Sequence, residues 1–236
     1  MSEDEFDQVA RDAADLLQGE DVDTRIAAAC RGSGNPAALA WLAAGLDLDR
    51  STSVVDLGSG LGGPAAWIAR RHACRRVIAV EPAEGAAHGS ARLFDVPVVR
   101  GAADRAPLRA AQFDAALLLG VLSVVPQPPE ALAEAGRVAA RIGIMDYCST
   151  TGAAVDAGGS TFPTLQQLVG WIRAGGLAVA RQTDVRSDPP EGWKEAAATV
   201  DRATEAHPEA RASEREVTDA IDAGAISPHL LVVRHG

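Results

Sequence analysis

Residues Val54 to Pro64 read VVDLGSGLGGP. Two valines and an aspartate lead into four glycines within six residues, and a proline closes the stretch. Such glycine density destabilises the interior of a helix or strand, so the chain must bend tightly here, with a strand before the bend and a helix after it. From Ser53 onward, short apolar runs alternate with helical patterns, which is the βαβ signature of a parallel sheet. Strands are expected at Ser53–Leu57, Arg76–Glu81, Val96–Val99, Phe113–Leu119, Ile142–Tyr147, Leu177–Thr183 and His229–Arg234. Helices are expected near Pro64–Arg71, Glu84–Phe94 and Pro129–Ala140, with another in FPTLQQLVGWIRAGG ended by Gly175-Gly176. The fold class is therefore α/β: a Rossmann-like, seven-stranded, mostly parallel sheet, its last strand antiparallel, flanked by helices and carrying a helical cap.

Both flanks of this alternation are helical. Phe6–Leu17, Val22–Cys30 and Pro36–Leu46 precede it. Before the last strand, a breaker-rich loop leads into two amphipathic helices. Trp193, Ala196, Ala197, Val200 and Ala203 share a face of the first, and Val217, Ala220 and Ile221 share a face of the second. One domain over 1–236 is expected, with residues 1–50 and the 187–224 insertion forming a substrate cap.

A net charge of −10 disfavours nucleic acid, whose phosphates need clustered Lys and Arg. Lys194 is the single lysine in the chain. No apolar run approaches the roughly 20 residues that span a bilayer. The N-terminus is acidic and amphipathic, unlike a secretion signal, so no membrane association and a cytoplasmic location are expected. Cys30, Cys74 and Cys148 lack C-x-x-C spacing, which fits reduced thiols. His72 and Cys74 form a lone H-x-C, so no metal site is expected.

Gly58, Gly60 and Gly63 spell G-x-G-x-x-G, the dinucleotide fingerprint, and Glu81 ends the next strand where an acid can accept from ribose hydroxyls. Both features serve NAD and S-adenosylmethionine (SAM) alike. Asp56 separates them. Its carboxylate, two residues before Gly58, would repel a pyrophosphate but favour the ammonium and sulfonium of SAM.

The segment VVDLGSGLGGPAAWIA resembles motif I of class I SAM-dependent methyltransferases, and its GGPA ending resembles the small-molecule branch, such as sarcosine/dimethylglycine and sugar O-methyltransferases. VIAVEP, GAADRAPLRAAQFDAALLLGVL and LVGWIRAGGLAVARQTDV resemble later family motifs in order. The resemblance implies a SAM-dependent methyltransferase acting on a small-molecule acceptor. It implies that Gly58 and Gly60 pass under the methionine and ribose of SAM, with Asp56 near the amino group. Glu81 would hold the ribose hydroxyls, Pro82 would lie beside the adenine, Ala102 and Ala103 would meet the adenine edge, and Leu118–Leu119 would end near the methionine.

Three positions depart from the family pattern. Ala102 stands where an adenine-binding aspartate is usual, RVAARIGI lacks the P-G-G turn, and Ser123-Val124 replaces a frequent histidine pair. A general base must then come from elsewhere, if the acceptor needs one. MDYC, at the carboxyl end of the fifth strand, offers Asp146 as base or amine ligand and Tyr147 as a positioning donor, because ligands of open parallel sheets bind beyond strand carboxyl ends. Cys148 reads as a small buried residue. His229 reads as an ordinary surface or capping histidine before the last strand, or as a residue facing the cap. Trp171 and Trp193 read as core, or as an aromatic wall over the substrate. Arg31–Asn35 either closes over the SAM carboxylate or is a plain helix-start loop. A catalytically inactive methyltransferase-like binding protein is the alternative function, followed by an NAD-dependent oxidoreductase.

Overall fold

The computed structural model of the chain describes residues 3–30, 34–184 and 189–236. Three helices come first: α1 (Glu3–Leu17), α2 (Val22–Ala29) and α3 (Pro36–Gly45). The alternating core follows as β1 (Ser53–Leu57), α4 (Gly63–His72), β2 (Arg76–Glu81), α5 (Glu84–Leu93), β3 (Val98–Arg100), β4 (Phe113–Leu119), α6 (Pro128–Val138) and β5 (Ala139–Ser149). A small hairpin, β6 (Val155–Ala157) and β7 (Ser160–Phe162), precedes α7 (Leu165–Ala174) and β8 (Leu177–Thr183). The chain ends with α8 (Glu191–Glu205), α9 (Pro208–Asp222) and β9 (Ile226–His235).

The main sheet has the order β3-β2-β1-β4-β5-β9-β8. Its strands run parallel except β9, which is antiparallel to both β5 and β8. From β1 the strand order moves outward through β2 to β3, then returns to β4 on the other side of β1. The carboxyl ends of β1 and β4 therefore flank the topological switch point, where open α/β sheets bind ligands. Every residue of β1 is buried, as helices on both sheet faces require. One core cluster joins α1–α4 and α8 to the sheet, and a second joins α6 and α7 to it.

Three strands differ in extent from the sequence expectation. The third begins only at Val98, although Pro97 still accepts from Ala79 through its carbonyl oxygen. β5 begins at Ala139, where the backbone turns extended and ends α6 before Ala140. β9 starts three residues before His229, so this histidine lies within a strand. The hairpin was not anticipated. Its two-residue loop is Gly158-Gly159, both with positive φ, as primed hairpin turns require.

The N-terminal helix is fastened by its acids. Glu5 accepts from the amides of Glu209 and Ala210 at the start of α9, and Asp7 accepts from Gly85 at the start of α5. Each carboxylate satisfies orphan N–H groups at a helix N-terminus and complements its dipole. Asp12 lies 2.8 Å from His207, in the α8–α9 turn, and Asp15 pairs with Arg92 of α5. Helix α8 packs along α1 and α2, and α9 reaches β6 and β9. Ser187 and Asp188, the first residues of the expected insertion, lie outside the described residues, as do Arg31–Ser33. No described helix is long and apolar enough to cross a membrane.

Two glycine-to-alanine substitutions inside helices have opposite expected signs. A Cβ on Gly85 would lie 2.3 Å from the Asp7 carbonyl oxygen, whereas one on exposed Gly170 of α7 would meet nothing within 4 Å. Gly170→Ala is expected to stabilise by up to about 1 kcal/mol through helix propensity. Gly85→Ala is expected to destabilise, because α1 must shift. Thermal melts of the two variants check this.

Candidate cofactor and acceptor site

Strand β1 carries Asp56 into the sheet between Ala79 of β2 and Leu117 of β4. Its side chain is 1% exposed, and Oδ2 is buried with no hydrogen-bond partner. Burial, and then the charge of Glu81, push its pKa up to about 7, against the opposing Ala65 amide at the start of α4. Glu81, at the end of β2, is 4% exposed, and its pKa is also raised, chiefly by burial. One Glu81 oxygen accepts from the Gly60 amide at 2.7 Å and the other from Ala83 at 2.9 Å. Glu81 thus fastens the glycine loop while each oxygen keeps a further lone pair. Among the described residues, no cationic side chain bonds either carboxylate.

The loop between β1 and α4 is folded back on β2 by the amides of Gly58 and Ser59, which donate to Val80. Gly58 and Gly60 have φ of +74° and +54°. A Cβ on Gly58 would lie 2.8 Å from Val121 Cγ2, so the segment after β4 packs directly on the loop. At Gly60 a Cβ would meet nothing within 4 Å, which leaves bare backbone facing open space. Leu61 packs against Ala10, Ala83 and Ala86, placing α1 alongside the loop.

The other residues implicated by sequence lie around this loop. Pro82 is exposed, and its carbonyl accepts from Arg100 at 2.6 Å. Ala102 and Ala103 form the turn after β3, in which the Ala102 carbonyl accepts from Arg105, and Ala103 is buried. Asp104 is half-buried beside them. Leu118 and Leu119 are buried at the end of β4.

On the β5 side, Asp146 is 1% exposed rather than presented to an acceptor. One oxygen accepts from the amides of Leu122 and Ser123 at 2.7 and 3.2 Å, and the other from Tyr147 at 2.9 Å. Burial raises its pKa, while the Ser123 hydroxyl and these three amides oppose the rise. The carboxylate ties the loop after β4 to the end of β5. Tyr147 is half-buried and edge-on to Phe162 at 6.4 Å. Burial and Asp146 raise its hydroxyl pKa. Burial and the same charge push the Cys148 thiol up to about 12, which makes it an inert core group. His229 faces Asp146 across the β5–β9 ladder, with Nδ1 buried and unpartnered and Nε2 3.3 Å from Ser227 Oγ.

The sequence also left the placement of two tryptophans open. Trp171 packs with the α6–α7 cluster and Trp193 with the α1–α4 cluster, so the two do not form one wall. Trp193 instead lines a cleft of about 750 Å³ between α2, α4 and α8, with Trp67, Arg70 and Arg71. Among the described residues, no group of three or more His, Cys, Asp or Glu side chains could hold a metal ion. The pairing of His229 with Asp146 and the Asp146 loop contacts were not foreseen, because they depend on strand register and loop packing, which local pattern does not specify.

The switch-point loop and its two carboxylates define a Rossmann-like ligand-binding domain. Residues 55–145 match the family described as "Methyltransferase domain". No curated protein matches the chain in sequence. Among solved structures, the [4+2]-cyclase SpnF is 21% identical with a TM-score of 0.69, over 83% of this chain and 78% of that one. The geranyl diphosphate C-methyltransferase of Streptomyces coelicolor A3(2), solved with Mg2+, geranyl-S-thiolodiphosphate and S-adenosyl-L-homocysteine, is 16% identical with a TM-score of 0.64 (85% and 76% covered). A protein described as a sarcosine dimethylglycine methyltransferase from Galdieria sulphuraria is also 16% identical, with a TM-score of 0.61 (84% and 85% covered). These likenesses establish the class I methyltransferase fold.

The raised pKa of Asp56 carries a stability consequence. Below pH 4 the carboxyl is protonated in both folded and unfolded chains and contributes nothing. Between pH 4 and 7 the unfolded chain loses this proton first, so ligand-free stability falls as pH rises, and the loss is complete above pH 7. Asp56→Asn should therefore stabilise the ligand-free protein by roughly 2–4 kcal/mol at pH 8, with the gain vanishing towards pH 4. Urea unfolding across this range measures it.

Proposed function

We propose that the protein is a SAM-dependent methyltransferase that transfers a methyl group to a small-molecule acceptor by in-line displacement. The observation that carries this reading is a pair of buried carboxylates, Asp56 and Glu81, converging on a bare glycine loop without a cation bonded to either. A diphosphate would meet two carboxyl groups there and no bonded cation. An amino acid ammonium would complete the orphaned Asp56 Oδ2, and ribose hydroxyls would fill the remaining lone pairs of Glu81. The residues present therefore fit SAM and disfavour NAD.

When bound, SAM supplies a methyl group already activated by a positively charged sulfur. The work left to this chain is placement and exclusion of water. Asp56 holds the amino end, Glu81 holds the ribose and the loop, and Gly58 and Gly60 let the backbone approach. Pro82, Ala102 and Ala103 border the adenine, with Asp104 beside them, and Leu119 borders the methionine. Helices α1, α8 and α9 close the acceptor space as a cap. Tyr147 is the acceptor-side donor, and Asp146 acts by holding structure. The acceptor is of metabolite size, since an acidic chain disfavours nucleic acid, and the protein works in the cytoplasm.

The non-catalytic, binding-only alternative stays a competing outcome, since Ala102 and Ser123-Val124 stand where the family's adenine aspartate and histidine pair are usual, and one fold hosts several functions. Thermal-shift titrations with SAM, S-adenosylhomocysteine and NAD should raise the melting temperature for the first two alone. Labelled SAM should then pass its methyl to a component of a small-molecule extract. Stabilisation by NAD alone overturns the cofactor assignment, and binding without transfer favours the alternative. Calorimetry on Glu81→Ala should find SAM affinity lowered by roughly 1–3 kcal/mol.

A further inference from the structure

We propose that Asp146 is a positioning residue that couples the end of β5 to the cofactor loop through Val121. The inference rests on the assignment of that loop to SAM. Asp146 lies beneath the segment that follows β4, and three backbone amides converge on its two oxygens. Two of them, from Leu122 and Ser123, immediately follow Val121 in the chain. At the other end of the same segment, the Gly120 amide donates to the Met145 carbonyl at 2.7 Å. The segment is therefore pinned to β5 on both sides of Val121. The Val121 side chain occupies the space where a Cβ of Gly58 would stand. Gly58, in turn, is the first glycine of the loop, with its amide committed to Val80.

The parts form one chain of contacts: carboxylate, paired amides, valine, glycine loop. Its rigidity depends on a charged acceptor with two equivalent oxygens. An asparagine has one acceptor oxygen and one NH2 donor. Whichever way it is turned, either the Leu122 and Ser123 amides or the Tyr147 amide must face a donor. The near-isosteric change therefore releases one end of the segment without opening a cavity.

The test measures S-adenosylhomocysteine affinity by calorimetry for the wild type, Asp146→Asn, Val121→Ala and the double variant. Ile172→Val, in the α7 core, provides a control for general destabilisation. Asp146→Asn is expected to weaken binding roughly tenfold, the size of one buried amide left facing no acceptor. Val121→Ala should weaken binding several-fold, and the double variant should fall well short of the product of the two, because both act on one contact. Ile172→Val should leave affinity unchanged. In the wild type, exchange of the Leu122 and Ser123 amides should slow when S-adenosylhomocysteine binds, which needs no substitution. Wild-type affinity in Asp146→Asn, independent effects in the double variant, or unaltered exchange each overturn the proposal alone. No binding by the wild type removes the SAM assignment and this proposal with it.

Discussion

Two carboxyl groups buried beside one glycine loop are costly for a folded protein. Asp56 and Glu81 raise each other's energy through burial and mutual repulsion, and the cost is only partly offset by the amides of Gly60, Ala65 and Ala83. A sheet meant only to be stable would place apolar residues there. The β1–α4 loop, the packing of α1 along Leu61 and the segment after β4 all surround this charged centre. The fold holds these two carboxyl groups in a dry place, where the proposed cofactor would meet them with a cation and hydroxyl groups.

The N-terminal helix is built around the same concern. Its acids spend their charge on the N-termini of α5 and α9 and on His207 and Arg92, so it binds neighbouring helices at several points along its length. Charge that reads in the sequence as a solvated face is a set of fasteners. Through Gly85 and Leu61, the helix meets both α5 and the loop.

Most of the sheet was legible because buried parallel strands announce themselves as apolar runs and because glycine and proline punctuate them. Four strands, β1, β2, β4 and β8, match their expected limits. Strand lengths at β5 and β9 were not legible, since pairing with a distant partner extends them beyond their apolar centres. The Gly158-Gly159 turn was readable in principle, as a two-glycine loop between alternating residues. At the site, Asp56 and Glu81 were identifiable because their meaning depends on sequence distance from the glycines. Asp146 was placed at the correct strand end, but the direction of its side chain comes from three amides belonging to other positions. No local pattern carries that information.

The single lysine gives this molecule an experimental convenience. Lys194 sits near the start of α8, on the helix that packs along α1 and α2. Apart from the chain terminus it is the sole primary amine, so an amine-reactive fluorophore would attach there and watch this helical layer while the sheet beneath stays unlabelled.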